Sequence, residues 1–222
     1  EGSNYRTEFW EGKGRDYEDR VERMVLRRLL PQQGRRLLEI GAGFGRLTNE
    51  YDNYEQVVLL DYSLSQLRFA QQQLGTSDRY LYVAADAYSL PFRPGSFDGA
   101  TVIRVIHHIS DTGTVLRQIR RTLVPGGTFI LEFANKRHLK AMVRYALGRQ
   151  TWNPYDLKPV EFVELNYDFH PDYIAQMLEA ALAMGDAAPL ELLRLAAYSF
   201  DPELAARARA GLAKATAPGS AE

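Results

Sequence analysis

A doubly wound α/β sheet is the fold this sequence predicts, and three observations predict it. The apolar run Leu37-Leu38-Glu39-Ile40 stops at Gly41-Ala42-Gly43-Phe44-Gly45, which reads as a strand entering a tight turn. A second apolar run, Gln56 to Leu60, ends on Asp61, twenty residues after Gly41. Short apolar runs then alternate with helical stretches as far as Phe133, as in a parallel sheet with helical crossovers. The expected core has five strands in the order 3-2-1-4-5, with right-handed connections throughout.

The glycine turn carries the first chemical signal. Glycine reaches backbone conformations closed to other residues, and it has no Cβ to hold a ligand away from the main chain. The amides of the turn and of the helix-compatible segment Arg46 to Tyr51 are expected to face whatever lies over the strand end, which suits a carboxylate. Asp61, at the tip of the second strand, is placed to accept hydrogen bonds from a ribose diol. The spacing Gly41-x-Gly43-x-Gly45 lacks the wide final gap of the dinucleotide fingerprint, so a nucleoside without a phosphate bridge is expected in place of NAD.

Composition bounds the remaining classes. The 222 residues suffice for one domain with a full core, or one domain and an appendage. A net charge of −1 gives no bulk attraction to nucleic acid, which is not expected as a partner, and an anionic membrane would have to be met by a local patch. Without cysteine there are no disulfides, thiolate metal sites or cysteine nucleophile. No stretch approaches the roughly 18 to 20 apolar residues of a transmembrane helix, and there is no signal core, so a cytoplasmic location is the default. Glu1-Gly2-Ser3, without a methionine, reads as an expression remnant.

Taken in order, Asp16 to Leu30 places Tyr17, Val21, Met24, Val25 and Leu29 at helical spacing, closed by Pro31 and Gly34. Before it, the aromatic and basic segment from Tyr5 to Arg15 reads as an arm pinned to the domain by its aromatics. Ser63 caps a helix that Gly75 stops, and Arg79 to Ala84 is the third strand. Asp86 follows it, either capping the turn before Leu90 or facing a ligand. Phe97 to Ile103 is the fourth strand, with Arg104, His107 and His108 at the end where such sheets present their chemistry. The histidines lack companions at metal-like spacing, so no metal site is expected. They are packed, or one serves as a general base near neutrality. Asp111 to Leu123 is helical, Pro125-Gly126-Gly127 reads as a turn, and Thr128 to Phe133 as the fifth strand. Lys136, Arg137, His138, Lys140, Arg144 and Arg149 make a basic helix, either a solvated face or a dock for an acidic substrate or lipid headgroup. Thr151 to Asp168 shows no clear period and is expected to be a functional loop, after which His170-Pro171 opens a helix to Met184.

The motifs as an ordered set are Leu38 to Arg46, Leu60-Asp61-Tyr62-Ser63, Ala85-Asp86-Ala87, Phe97-Asp98 with His107-His108, and Leu123-x-Pro125-Gly126-Gly127. Together they resemble the class I S-adenosylmethionine-dependent methyltransferases, most nearly the small-molecule branch that includes the ubiquinone/menaquinone methyltransferases. The likeness covers roughly Leu37 to Asn135. It implies a Rossmann-like domain, S-adenosyl-L-methionine as cofactor, and transfer of its methyl group to a small-molecule or lipid-like acceptor. The alternative is an inactive module that only holds the nucleoside. Glu39, Gly41, Ala42, Gly43, Gly45, Asp61, Tyr62, Asp86, Ala87 and Arg104 are the expected cofactor-binding set, joined by Arg15 and Tyr17, with Trp10, from the N-terminal segment, for which the resemblance offers a lid as the alternative to a pinned arm. By resemblance, the Asp86 carboxylate accepts from the adenine amino group and Ala87 offers its amide. For an oxygen or nitrogen acceptor, His107 or His108 is the expected base.

The pattern of that family breaks late in the chain. It usually closes with two further strands, whereas Asp186 to Ala215 holds no Val, Ile or Thr and reads as two helices that each begin with Asp and Pro. The expected organisation is a methyltransferase domain over 1–184, with a lid segment over 1–34, and a helical appendage over 185–222. Either the sheet is complete without the appendage, or the appendage is a replaced or engineered segment.

Overall fold

The computed structural model describes residues 14–183. The chain runs α1 (Asp16–Leu29), β1 (Gly34–Ile40), β2 (Tyr54–Asp61), α2 (Leu64–Leu74), β3 (Tyr80–Ala84) and β4 (Phe97–Val102). It continues through α3 (Thr112–Thr122), β5 (Leu123–Leu131), α4 (Leu139–Ala146), β6 (Val160–Val163), β7 (Asn166–Asp168) and α5 (Pro171–Ala183). The first five strands pair in parallel in the order β3-β2-β1-β4-β5, the order expected from the sequence.

The apolar runs are continuous because both faces of the sheet are covered. Leu38, Ile40, Val58, Leu60, Ala100 and Val102 pack on one side against Val115 and Ile119 of α3 and Ile174 of α5. Leu37, Val57 and Leu59 pack on the other against Leu26 of α1 and Leu67 and Ala70 of α2. The caps follow the sequence. The Ser63 hydroxyl accepts from the Gln66 amide at 3.5 Å, Gly75 leaves α2 at φ +83°, and Asp111 Oδ1 accepts from the Thr114 amide at 3.0 Å.

Four expectations are corrected by the structure. Arg46 to Tyr51 is not a regular helix but holds one 3-10 turn, Thr48–Glu50. Tyr51 is buried in the core and its hydroxyl meets Thr101 at 3.1 Å, so the chain has too few residues left for α-helical turns before β2 begins at Tyr54. Pro125-Gly126-Gly127 is not a turn before a strand, because β5 starts at Leu123, directly after α3. The extra residues are absorbed as a register shift against β4, where Gly126 takes φ +76°. The stretch from Thr151 to Asp168 is not all loop: it contains the antiparallel hairpin β6–β7, turning through Leu165 at φ +54°. Lys136 is not on a solvated basic face but buried, with Nζ donating to the carbonyls of Asp156 and Lys158 at 2.7 Å each. The side chain thus ties the approach to the hairpin onto the end of β5. Beyond β5 a parallel bridge joins Asn135 to Phe169.

The expected C-terminal helices, Trp10 and the boundary at 184/185 lie outside the described residues. No described helix is long and apolar enough to cross a membrane.

Tyr54 decides which small residues its neighbours must be. A Cβ added at Gly34 would stand 2.2 Å from its ring, and one at Gly99 2.4 Å from its hydroxyl. That hydroxyl is buried with no hydrogen-bond partner among the described residues. Gly99→Ala is therefore expected to destabilise the protein by about 1–3 kcal/mol through overpacking. Tyr54→Phe should be near neutral alone and should recover part of the loss in the double variant, as read by urea unfolding in a double-mutant cycle. Strict additivity of the two changes would show that the contact does not exist in solution.

Candidate functional site

A cavity of about 600 Å³ opens at the carboxyl ends of β1, β2 and β4, a size ordinary for small-molecule sites. β1 and β4 are neighbours although two strands lie between them in sequence, so the cavity sits where the strand order reverses. The connection after β1 leads toward β2 and the one after β4 toward β5, so the two leave in opposite directions and a crevice forms between them.

The three glycines after β1 have different reasons to be glycine. A Cβ at Gly41 would stand 2.1 Å from Val105 Cγ2, and one at Gly45 would stand 2.9 Å from Leu74 Cδ1. Those two serve close packing. A Cβ at Gly43, at φ +54°, meets no atom within 4 Å and lies on the cavity lining. The expectation that the turn's amides face a ligand is corrected. Gly41 and Ala42 both donate to the Leu60 carbonyl, Gly45 to the Ala42 carbonyl, and Gly43 to Asp61 Oδ2 at 2.8 Å.

Three carboxylates mark different parts of the cavity. Asp61 accepts from Gly43 through one oxygen and from the Ser63 amide through the other, at 2.8 Å, leaving each oxygen a second lone pair. Asp86 Oδ1 accepts from the Tyr88 amide at 2.9 Å, so it caps its turn while also lining the cavity. Glu39 lies at the floor, buried, with Thr48 Oγ1 donating to it at 2.6 Å and the Tyr51 hydroxyl at 3.3 Å. Burial pushes its carboxyl up to about 7 against those two hydrogen bonds.

Another part of the lining carries two arginines, both held by carboxylates of α1. Arg46 and Arg104 both line the cavity, and Glu22 of α1 bridges them, receiving Arg104 Nε at 2.6 Å and pairing with Arg46 Nη2. Arg46 also pairs with Asp19, and Arg104 Nη2 donates to Glu18 at 3.1 Å. Arg104 takes φ +58°, with its amide donating to the Glu132 carboxylate at 2.7 Å. The acidic face of α1 is thus fastened along the cavity's rim.

The histidine pair is divided by the structure. The rings lie 4.0 Å apart, but only His108 lines the cavity. His107 is lowered to about 4 by burial, then by His108 and Arg104, which leaves it neutral and weakly basic at neutral pH. His108 Nδ1 lies 3.0 Å from the carbonyl of Leu165 at the hairpin turn. With Nδ1–H donated there, Nε2 is the acceptor nitrogen. Among the described residues, no three His, Asp or Glu side chains are grouped to hold a metal ion.

Of the residues singled out in the sequence, the cavity gathers Glu39, Gly41, Ala42, Gly43, Asp61, Tyr62, Asp86, Ala87, Arg104 and His108. Gly45 and His107 lie outside its lining, as do Arg15 and Tyr17 on or beside α1, where Tyr17 is exposed. Sequence reasoning missed Arg46, Gln66, Thr101 and Leu165. Arg46 could have been found, since it directly follows the third glycine; Leu165 had no local signal.

Comparison with known proteins bears on this site. Residues 38–131 match the family described as "Methyltransferase domain". An O-methyltransferase from Penicillium expansum is 37% identical over 120 residues, covering 51% of this chain and 43% of that protein. The ubiquinone/menaquinone biosynthesis C-methyltransferase UbiE of Pseudomonas savastanoi pv. phaseolicola is 36% identical over 126 residues, covering 52% of this chain and 49% of that protein. The matched stretches thus span about half the length of these relatives. A solved S-adenosylmethionine-dependent methyltransferase from Mesorhizobium loti shares the fold, with TM-score 0.54 and 19% identity over 71% of this chain and 78% of that one. A glycine turn above a parallel sheet serves many nucleotide binders, but the ordered match over residues 38–131 is to the methyltransferase domain family, and the sheet order is shared with solved methyltransferases of that fold.

Proposed function

We propose that this chain transfers a methyl group from S-adenosyl-L-methionine to a small-molecule or lipid-like acceptor. The observation that carries the reading is Gly43, whose missing Cβ leaves open space beside the Asp61 carboxylate in a cavity that Arg46 and Arg104 also line. The residues present fit the cofactor's separate parts. Asp61 has lone pairs for a ribose diol, and Asp86 with the Ala87 amide suits an adenine edge. Arg46 and Arg104 suit a carboxylate, and Glu39 suits an ammonium. The bound cofactor supplies a methyl group already electrophilic on its sulfonium.

The protein's own work is then to orient the acceptor and exclude water. Leu165, at the tip of β6–β7, and His108 close the cavity's side together. For an oxygen or nitrogen acceptor, His108 Nε2 is the group that takes the proton. His107 serves by packing beside it, neutral and outside the lining.

Calorimetry with S-adenosyl-L-methionine and with NAD tests the ligand, and transfer of labelled methyl into a metabolite extract tests the reaction. Binding of NAD alone would reject the reading. Asp61→Ala should weaken cofactor affinity by about 1.5–3 kcal/mol, the worth of hydrogen bonds to a charged group. Gly43→Val should abolish binding because the branched side chain fills open cavity, with some loss of stability as well because φ there is +54°. Gly41→Ala should lower stability further, because its Cβ also meets Val105. If folded Gly43→Val binds normally, the cavity is not the cofactor site.

Glu39 gives a pH signature. Its carboxyl is raised from 4.5 to about 7, so the folded state holds a proton that the unfolded state releases. Stability from this group is present in acid and declines as pH rises from the usual carboxylate range through about 7. A tenfold difference in proton affinity between the folded and unfolded states corresponds to about 1.4 kcal/mol. Glu39→Gln should flatten that part of the stability curve in denaturant titrations. Cofactor affinity should rise with pH through the same range as the carboxylate ionises beside a cationic ligand, and lose that rise in Glu39→Gln. An unchanged pH profile in the variant would remove Glu39 from both roles.

A further inference from the structure

Between Phe133 and Tyr155 the sequence has Lys136, Arg137, Lys140, Arg144 and Arg149 but no Asp or Glu, in a chain whose net charge is −1. The structure takes Lys136 out of this set by burying it. What remains is centred on α4, which turns only Ala141 fully inward. Leu139, Val143 and Leu147 recur every four residues along one stripe, and they are 72%, 47% and 60% exposed. Lys140 and Arg144 form the adjacent stripe, one position on, and Arg149 follows the helix. Among the described residues, Lys140, Arg144 and Arg149 make no ion pair.

We propose that α4 docks on the surface of an anionic lipid bilayer. An exposed apolar stripe bordered by unpaired cations is the arrangement that lies flat at a membrane interface, where the apolar side chains enter the headgroup boundary and the cations meet lipid phosphate. The charge pattern selects this occupant. Every charged residue between Phe133 and Tyr155 is a cation, so the border of the stripe is complementary to lipid phosphate, and an apolar stripe gains nothing from a nucleic acid backbone. The hairpin shows the contrast: Phe162 and Val163 are also exposed, but they lie between Glu161 and Glu164 and lack a basic border. β5 runs parallel to β1, β2 and β4, so it delivers α4 at the same edge of the sheet where the cavity opens. The proposal does not rest on methyl transfer, since it concerns a surface outside the cavity.

The test is co-sedimentation of the full chain with phosphatidylcholine vesicles, with and without phosphatidylglycerol. Binding is expected only with phosphatidylglycerol, and it should fall as salt is raised. Lys140→Ala/Arg144→Ala should weaken it about 25-fold, from about five-fold for each cation. Leu139→Ser/Val143→Ser/Leu147→Ser should weaken it as well, with melting temperature unchanged because the side chains are exposed. Arg20→Ala/Arg28→Ala, the same charge removed from exposed positions on α1, should bind as the parent does. No binding at low salt would overturn the proposal, as would equal loss in the α1 control. Self-association of the parent that the triple serine variant abolishes would give the face to a second copy and overturn it too.

Discussion

The carboxylate of Asp61 ties the turn after β1 to the end of β2, and the rest of the site depends on that tie. By receiving the Gly43 amide it fixes the one glycine whose missing side chain leaves the cavity open, and by receiving the Ser63 amide it sets the start of α2. Two neighbouring strands are thus locked at their tips, where parallel pairing alone would let the ends fray. Beneath the turn, the buried Glu39 draws in Thr48 and Tyr51, and Tyr51 reaches across to Thr101 on β4. The floor of the cavity is therefore a polar chain inside an apolar sheet, stable only while each of its members stays bonded.

The walls are built on different physics. On one side α1 presents Glu18, Asp19 and Glu22 to Arg46 and Arg104, so its position is set by charge. On the other, Lys136 holds backbone carbonyls below the hairpin, and His108 meets the carbonyl at its tip, so position there is set by hydrogen bonds to main chain. Placing a carboxylate-bearing ligand against the arginines bears on the first wall and leaves the second untouched.

Much of this was legible in the sequence because it is local. Apolar runs, glycine stops, the Ser63 cap and the position of Asp61 each declare themselves within a few residues, and together they specify the sheet and most of the cavity's lining. What was not legible depends on residues far apart in the chain. Lys136 reads as one more cation in a basic run until the carbonyls of Asp156 and Lys158 arrive beside it. The amides of the glycine turn look available until Leu60 and Asp61 claim them. His107 and His108 are adjacent and equivalent by composition, and only burial separates them. The β6–β7 hairpin has too few residues, with too mixed a pattern, to show a period of its own.

Arg104 sits in the left-handed backbone region, at φ +58°, directly after β4. That conformation costs an L-residue with a Cβ roughly 1–2 kcal/mol, and glycine in its place would not bear the strain. That strain is met from two sides, by the Arg104 amide donating to Glu132 and by the guanidinium held on Glu22 and Glu18. The end of β4 therefore keeps its left-handed turn by leaning on carboxylates of both β5's exit and α1, so a shift of α1 would reach the backbone of the sheet itself.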